Sequence, residues 1–236
     1  MSPSTTPSAW VKSVNVGEGR ALGEPLSGQI SGIDKRAVER ISVRDPGPMG
    51  IGLGSGVADD VIVERDEHGG ERQAVYLVAD EELTHWSREI RRDLPSGSFG
   101  ENITTAGTDV DAWVTGSTVR VGEDVVLEVC GPRIPCATFA AHLGERGWVK
   151  RFAERGRPGV YCAVRSPGDI RAGDALVVSD VPDHGIDILT LFRAWRGDDR
   201  AVRTVLDAGC LPPEEHGQLE RKLQRRRRHT PDGASP

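Results

Sequence analysis

A chain of 236 residues with 37% hydrophobic and 28% charged side chains can bury one substantial core, or a main domain and a small addition, and is not composed like a disordered chain. Its longest apolar runs, Val125 to Val129 and Ala175 to Val178, fall far short of the roughly 20 residues a membrane helix needs, and MSPSTTPSAW offers no export leader, so a cytoplasmic protein without a membrane span is expected. Cys130, Cys136, Cys162 and Cys210 are too widely spaced for a disulfide framework or a paired CxxC zinc site and read as free thiols, while the net charge of −6 hides a basic run, RKLQRRRR from Arg221 to Arg228, whose plain reading is a solvated helix end rather than a nucleic-acid contact.

Residues 1–10, rich in Ser, Thr and Pro, are expected to be loose, and Val11, Val14 and Val16 open a strand pattern that recurs at Ala37 to Val43 and Val61 to Val63. The five glycines of GPMGIGLGSG, Gly47 to Gly56, lack a following GKS or GKT and predict a loop over the sheet, not a phosphate loop. Ala74 to Val78 predicts a buried strand, and Asp80 with Leu83, Trp86 and Ile90 an N-capped helix behind it. Strands follow at Thr118 to Val121 and Val125 to Val129 around a VGEDV turn, the pattern of a small barrel.

Helices through Phe139 and His142 and through Trp148 and Phe152, a strand at Val160 to Val164 and the PGDIRAGDALVV stretch then close a domain of residues 11–180. From Ile186 the period is helical: Ile186, Leu189, Phe192 and Trp195 form one stripe, Val202, Val205 and Leu206 another. A small helical appendage is expected over 184–228, with a disordered tail at 229–236.

GPRIPC, Gly131 to Cys136, sets a thiol beside Arg133 on a loop stiffened by two prolines, where a guanidinium favours the thiolate that binds metal or attacks. Cys136 is therefore a candidate ligand or nucleophile. Five motifs in order, SGIDKRAV (Ser31 to Val38), EHGGERQAVYLVADEELTHW (Glu67 to Trp86), SGSFGENITT (Ser96 to Thr105), GPRIPCATF (Gly131 to Phe139) and RPGVYCAVRSPGDIRAGD (Arg157 to Asp174), resemble the MOSC domain, named for the C-terminal domain of molybdenum cofactor sulfurase. The likeness is to its stand-alone branch of YiiM-type 6-hydroxylaminopurine reductases and runs from about Val11 to Val178.

The resemblance implies a mainly β fold with α: a strand-rich pseudo-barrel with flanking helices that carries a molybdenum cofactor, molybdopterin, and no pyridoxal phosphate. Cys136 matches the metal ligand, a soft thiolate suited to molybdenum. Lys35 and Arg36 match the phosphate end of the cofactor site, and Arg133 adds a cation. Asn102, with Gly100 beside it, matches an amide at the cofactor or active-site oxygens, and His68, Gly69 and Gly70 match the HGG turn at the barrel mouth. Asp80 and Glu81 match a strand-to-helix turn that meets the pterin. One departure is GLGSGVADD, Gly52 to Asp60, where the family has GL-x-GD, so that Asp59 or Asp60 only partly replaces the usual acid.

The implied activity is molybdenum-dependent reduction of N-hydroxylated compounds such as hydroxylaminopurine-like bases, hydroxylamines and amidoximes, with Cys136, Asn102 and His68 as catalytic residues. No flavin, haem or iron–sulfur motif is visible, so electrons would come from a separate redox protein; a homodimer is compatible with the residues. Two alternatives stay open: a sulfur carrier with a persulfide on Cys136, and a degenerate cofactor-binding module.

Overall fold

A computed structural model describes residues 8–229. Of the N-terminus expected to be loose over residues 1–10 and the disordered tail expected over 229–236, residues 1–7 and 230–236 lie outside the described residues. Strands β1 (Trp10–Gly17), β2 (Arg20–Ala21), β3 (Ile30–Ser31), β4 (Lys35–Val38) and β5 (Arg40–Val43) precede a long irregular segment. Then β6 (Val75–Ala79), helix α1 (Asp80–Ile90) and β7 (Ile103–Ala106) form a crossover unit, followed by the hairpin of β8 (Thr118–Val121) and β9 (Val125–Pro132). Helices α2 (Ala137–Leu143) and α3 (Trp148–Arg155) lead to β10 (Val160–Ser166), β11 (Gly168–Arg171) and β12 (Leu176–Ser179). Helices α4 (Ile188–Arg196), α5 (Asp199–Ala208) and α6 (Pro213–His229) end the described chain.

Eight strands build one mixed sheet in the order β12-β8-β9-β10-β6-β7-β1-β4, antiparallel except where β6 runs parallel to β7 across the α1 crossover. Among the described residues this ladder does not close into a barrel. It curls instead: Trp10 bridges Ala175, and the Val11 N–H donates to the Asp174 carbonyl at 2.9 Å, bringing the start of β1 against the turn before β12. The expected pseudo-barrel is thus an open, curled sheet with helices around it.

The two-residue period of β6 divides the interior. Val75, Leu77 and Ala79 enter a core of aliphatic side chains, whereas Tyr76 and Val78 enter an aromatic one. The aromatic core holds Trp86, Phe99, Phe139, Trp148 and Phe152; Trp86 and Trp148 stand 4.5 Å apart and Phe139 and Phe152 5.1 Å, mostly edge to face as ring quadrupoles prefer. This cluster fixes α1, α2 and α3 on one side of the sheet, and with them the segment that carries Cys136.

The aliphatic core runs without a break into the C-terminal helices: Leu191, Val202, Val205, Leu219 and Leu223 pack with Leu127 and Val119 of the sheet. Asp187 caps α4 by accepting from the Thr190 N–H at 2.7 Å, and Asp198 caps α5 by accepting from Arg200 and Ala201 at 2.9 Å.

Three local expectations are corrected. Residues 61–63 form no strand, because Val61 and Val63 are exposed and the segment runs along a cavity instead of pairing. Conversely, β11 lies where only a turn was read, and Ile170 opposite Ile41 of β5 buries both side chains. Asp80 begins α1 but does not cap it; the cap position is Ala79, and Asp80 is held by Lys12 at 2.6 Å.

Candidate functional site

Between the β3–β4 turn, the 60–69 segment and the connection from β9 to α2 lies a cavity of about 350 Å³. Proteins bind small ligands in cavities of this order. Arg133 enters it from the end of β9, 7% exposed, its guanidinium 4.3 Å from the Phe139 ring centre and 5.1 Å from that of Tyr76. Its Nη1 donates to the Phe99 carbonyl, and among the described residues no carboxylate forms an ion pair with it. Cys136, half-buried at the residue before α2, lines the same cavity within electrostatic reach of Arg133. Tyr76 and Tyr161, rings 4.8 Å apart, form the floor; burial pushes both phenol pKa values up against the pull of Arg133.

Beside them Asp60 gathers a polar network. With its side chain 1% exposed, it forms an ion pair with Lys35 and accepts from the Gly17 N–H at 2.8 Å, the Ser55 hydroxyl at 2.8 Å and Asn102 Nδ2 at 3.0 Å. Burial draws the Lys35 ammonium pKa down while Asp60 opposes it. Asn102 is held at both ends, since its Oδ1 accepts from the Tyr76 N–H at 3.2 Å. Glu101, fully buried, accepts from Phe99 N–H and the Thr104 hydroxyl, both at 2.9 Å, and clamps the turn that contains Gly100; burial raises its pKa. Gly100 has φ 76°, and a Cβ there would stand 2.9 Å from Ile33 Cγ1, so the left-handed turn and its packing against Ile33 favour glycine.

His68 stands at the mouth, its Nε2 3.8 Å from Glu64, with burial first and Arg133 second holding its pKa below the ordinary imidazole value. Gly69 lines the cavity, and Gly70 faces a neighbouring groove and donates to the Gly54 carbonyl at 2.9 Å, so the Gly-rich loop is tied to the HGG turn.

The cavity therefore brings together Lys35, His68, Gly69, Gly100, Asn102, Arg133 and Cys136. It does not include Arg36, which is exposed and paired with Asp34 at 2.8 Å, nor Asp80, which lines a separate surface pocket beside Lys12. Glu81 is also elsewhere, accepting from the Gly107 N–H at 3.1 Å. Of the four thiols, Cys162 is in the aliphatic core, Cys130 is buried with its pKa pushed up to about 11, Cys210 packs against the aliphatic core, and Cys136 lines the cavity. Ser55, Tyr76 and Tyr161 were missed from the sequence. Asp60 was noted only as a partial substitute for a missing acid, and the departing segment delivers it to the centre of the network.

A family model described as the MOSC domain matches residues 64–177. The uncharacterized protein YflK of Bacillus subtilis is 30% identical over 213 residues, which cover 86% of this chain and 92% of that protein. The chain belongs to the MOSC domain family. A protein of Gibberella moniliformis described as a reductase is 28% identical to this MOSC protein over 148 residues, 61% of the chain but 26% of that protein. YiiM from Geobacillus stearothermophilus shares the fold at a TM-score of 0.69 and 22% identity, over 91% of this chain and 99% of that one. YiiM from Escherichia coli does so at 0.60 and 20%, over 94% and 96%.

The donor set of this MOSC protein fits the molybdenum cofactor associated with the family. A buried guanidinium without a carboxylate partner suits an anionic ligand, a half-buried thiol suits a soft metal, and both face one cavity.

Proposed function

We propose that this MOSC protein binds the molybdenum cofactor in the 350 Å³ cavity and reduces N-hydroxylated compounds, with Cys136 as the protein's ligand to the metal. The observation that carries the reading is the meeting of the Cys136 thiol and the uncompensated Arg133 in one cavity. When bound, the cofactor supplies two-electron chemistry for R–NHOH + 2 e⁻ + 2 H⁺ → R–NH₂ + H₂O, with electrons delivered by a separate redox protein.

Arg133 and Lys35 are the cations that would hold anionic groups, Arg133 the stronger because Lys35 already spends its charge on Asp60. Asn102, bonded to Asp60 and to the backbone of β6, acts as a positioning residue that keeps this network in register. His68 stands half-exposed between the cavity and solvent, where an imidazole held neutral by burial and Arg133 can accept a proton and pass it inward. The rings of Tyr76 and Tyr161 exclude water from the floor.

The test is oxidation of a reduced viologen dye by metal-loaded protein when hydroxylamines or amidoximes are added. Wild type is expected to consume dye in proportion to substrate, and Cys136→Ser to lose at least about 100-fold in rate. Loaded wild type that reduces none of these compounds would overturn the reading. The accessibility of Cys136 also favours a second reading, a persulfide carrier, which predicts cyanide-labile sulfur on Cys136 in protein free of metal.

A further inference from the structure

Two tyrosines line the cavity floor, and their hydroxyls have different fates. Tyr76, 2% exposed, donates to the Pro158 carbonyl at 2.6 Å, so its proton is committed to the backbone. By contrast, among the described residues no protein group bonds the Tyr161 hydroxyl, and this oxygen is not sealed in the interior as the indole nitrogens of Trp86 and Trp148 are. A phenol with neither a partner nor an enclosing shell faces open space. Its charge interactions are with Arg133 and Cys136, both of which line the cavity, so the hydroxyl lies on that side.

The strand register explains this exposure. Tyr161 of β10 stands opposite Tyr76 of β6 on one side and Gly131 of β9 on the other. Cross-strand partners share a face, so the Tyr76 ring covers one flank of Tyr161 and no side chain covers the other. A Cβ built on Gly131 would meet no atom within 4 Å. Here β9 also bulges, because Tyr161 pairs with Gly131 and the next residue, Cys162, pairs with Val129, which leaves Cys130 as the extra residue. Such a bulge re-aims the side chains beside it. Burial of the phenol keeps it protonated at neutral pH.

We propose that Tyr161 is a further catalytic residue of this cavity, the proton donor to the oxygen that leaves the substrate. The role rests on the reductase reading and supplies its acid. As the N–O bond breaks, two electrons arrive from the separate redox protein. The oxygen keeps its own hydrogen, takes the phenol proton and leaves as water. The nitrogen takes the second proton from solvent, and the phenolate, next to the Arg133 cation, is reprotonated from solvent at the mouth. A phenol is a far stronger acid than water, so the transfer runs downhill once the N–O bond lengthens.

Tyr161→Phe removes one oxygen that no protein group holds, so the variant is expected to keep the unfolding midpoint and the molybdenum content of wild type. The probe is benzamidoxime. Without reductant, calorimetry on metal-loaded protein reads binding alone, and the variant is expected to bind about three- to tenfold more weakly. With reduced viologen its kcat is expected to fall at least about 100-fold, and log kcat to drop by about one for each pH unit, because protons from solvent must replace the phenol. A variant with the rate and pH profile of wild type, or with a loss in KM alone, would overturn the role and leave the reductase reading intact. A variant that unfolds or loses molybdenum would make Tyr161 structural and overturn the role as well. Loaded wild type that binds benzamidoxime without reducing it would remove the reductase reading and the proton donor with it.

Discussion

Lys35, Ser55, Asn102 and the Gly17 amide all meet one carboxylate, that of Asp60, at the bottom of the β3–β4 turn. Truncation to alanine would leave the buried Lys35 ammonium without a counter-charge, the costly way to break such a pair. Asp60→Ala is expected to lower unfolding stability by about 3–5 kcal/mol, and Lys35→Met added to it to recover much of that loss, as read by urea unfolding of the two singles and the double. Strict additivity of the two changes would contradict the hub. At this scale the sequence spoke unevenly. Cys136, Arg133, Asn102 and His68 lay in recognisable motifs, and the cavity holds them all. Asp60 lay in the segment that departs from the family pattern, and Tyr76 and Tyr161 looked like ordinary alternating strand residues, so only three-dimensional closure reveals that they share a wall. Asp80 and Glu81 had a motif but lie outside that cavity, because the first turn of α1 where they sit points them at Lys12 and Gly107.

Among the elements, the turn of Gly69 and Gly70 does more than connect. It borders both the cavity and the groove and holds the 47–56 loop through the Gly70 to Gly54 bond. Gly69 has φ 83°, and a Cβ there would stand 2.4 Å from the Gly54 carbonyl oxygen, a distance only backbone movement can relieve. Gly69→Ala is expected to cost about 1–3 kcal/mol and to speed amide exchange across residues 47–56 while β9 and β10 stay protected. Unchanged exchange in that loop would show that the turn does not anchor it. Helices α1 to α4 and strands β6, β8, β9, β10 and β12 were legible because their periods are clear, and the ends of α2 to α4 carry glycine or a capping acid. The pairing of β11 with β5 was not, since the paired residues lie 125 or more positions apart and each strand is only 4 residues long. Residues 61–63 were misread for the opposite reason: three β-branched residues carry strand propensity, but no neighbouring strand is there to pair with them.

For the molecule as a whole, one carboxyl ties stability to pH. Asp111, 1% exposed, accepts from the Gly159 N–H at 2.8 Å, and burial raises its pKa from 3.8 to about 7 with Asp109 adding to the effect. The folded chain therefore keeps a proton that the unfolded chain releases, so this group's contribution is full below pH 3.8 and is lost as the pH rises to about 7. Asp111→Asn can keep the bond to Gly159 and has no proton to lose. Its stability relative to wild type is expected to rise with pH across that window, by at most about 4 kcal/mol, in denaturant curves at acid and neutral pH. A pH-independent difference would place the proton elsewhere. The open, curled sheet and the two cores were legible only as a strand-rich class, because the partition of β6 side chains between an aliphatic and an aromatic core depends on what α1 to α3 and α4 to α6 bring to its two faces.

Whether Cys136 and Arg133 hold a molybdenum cofactor is the claim on which the rest depends. Protein produced in a host that makes the cofactor should be assayed for molybdenum and pterin, wild type beside Cys136→Ser, with the sulfur ligands of the metal counted by X-ray absorption. The account predicts near-stoichiometric metal and pterin in wild type and one sulfur ligand fewer in the variant. Wild type free of metal and pterin, or a sulfur shell that Cys136→Ser leaves unchanged, would contradict it.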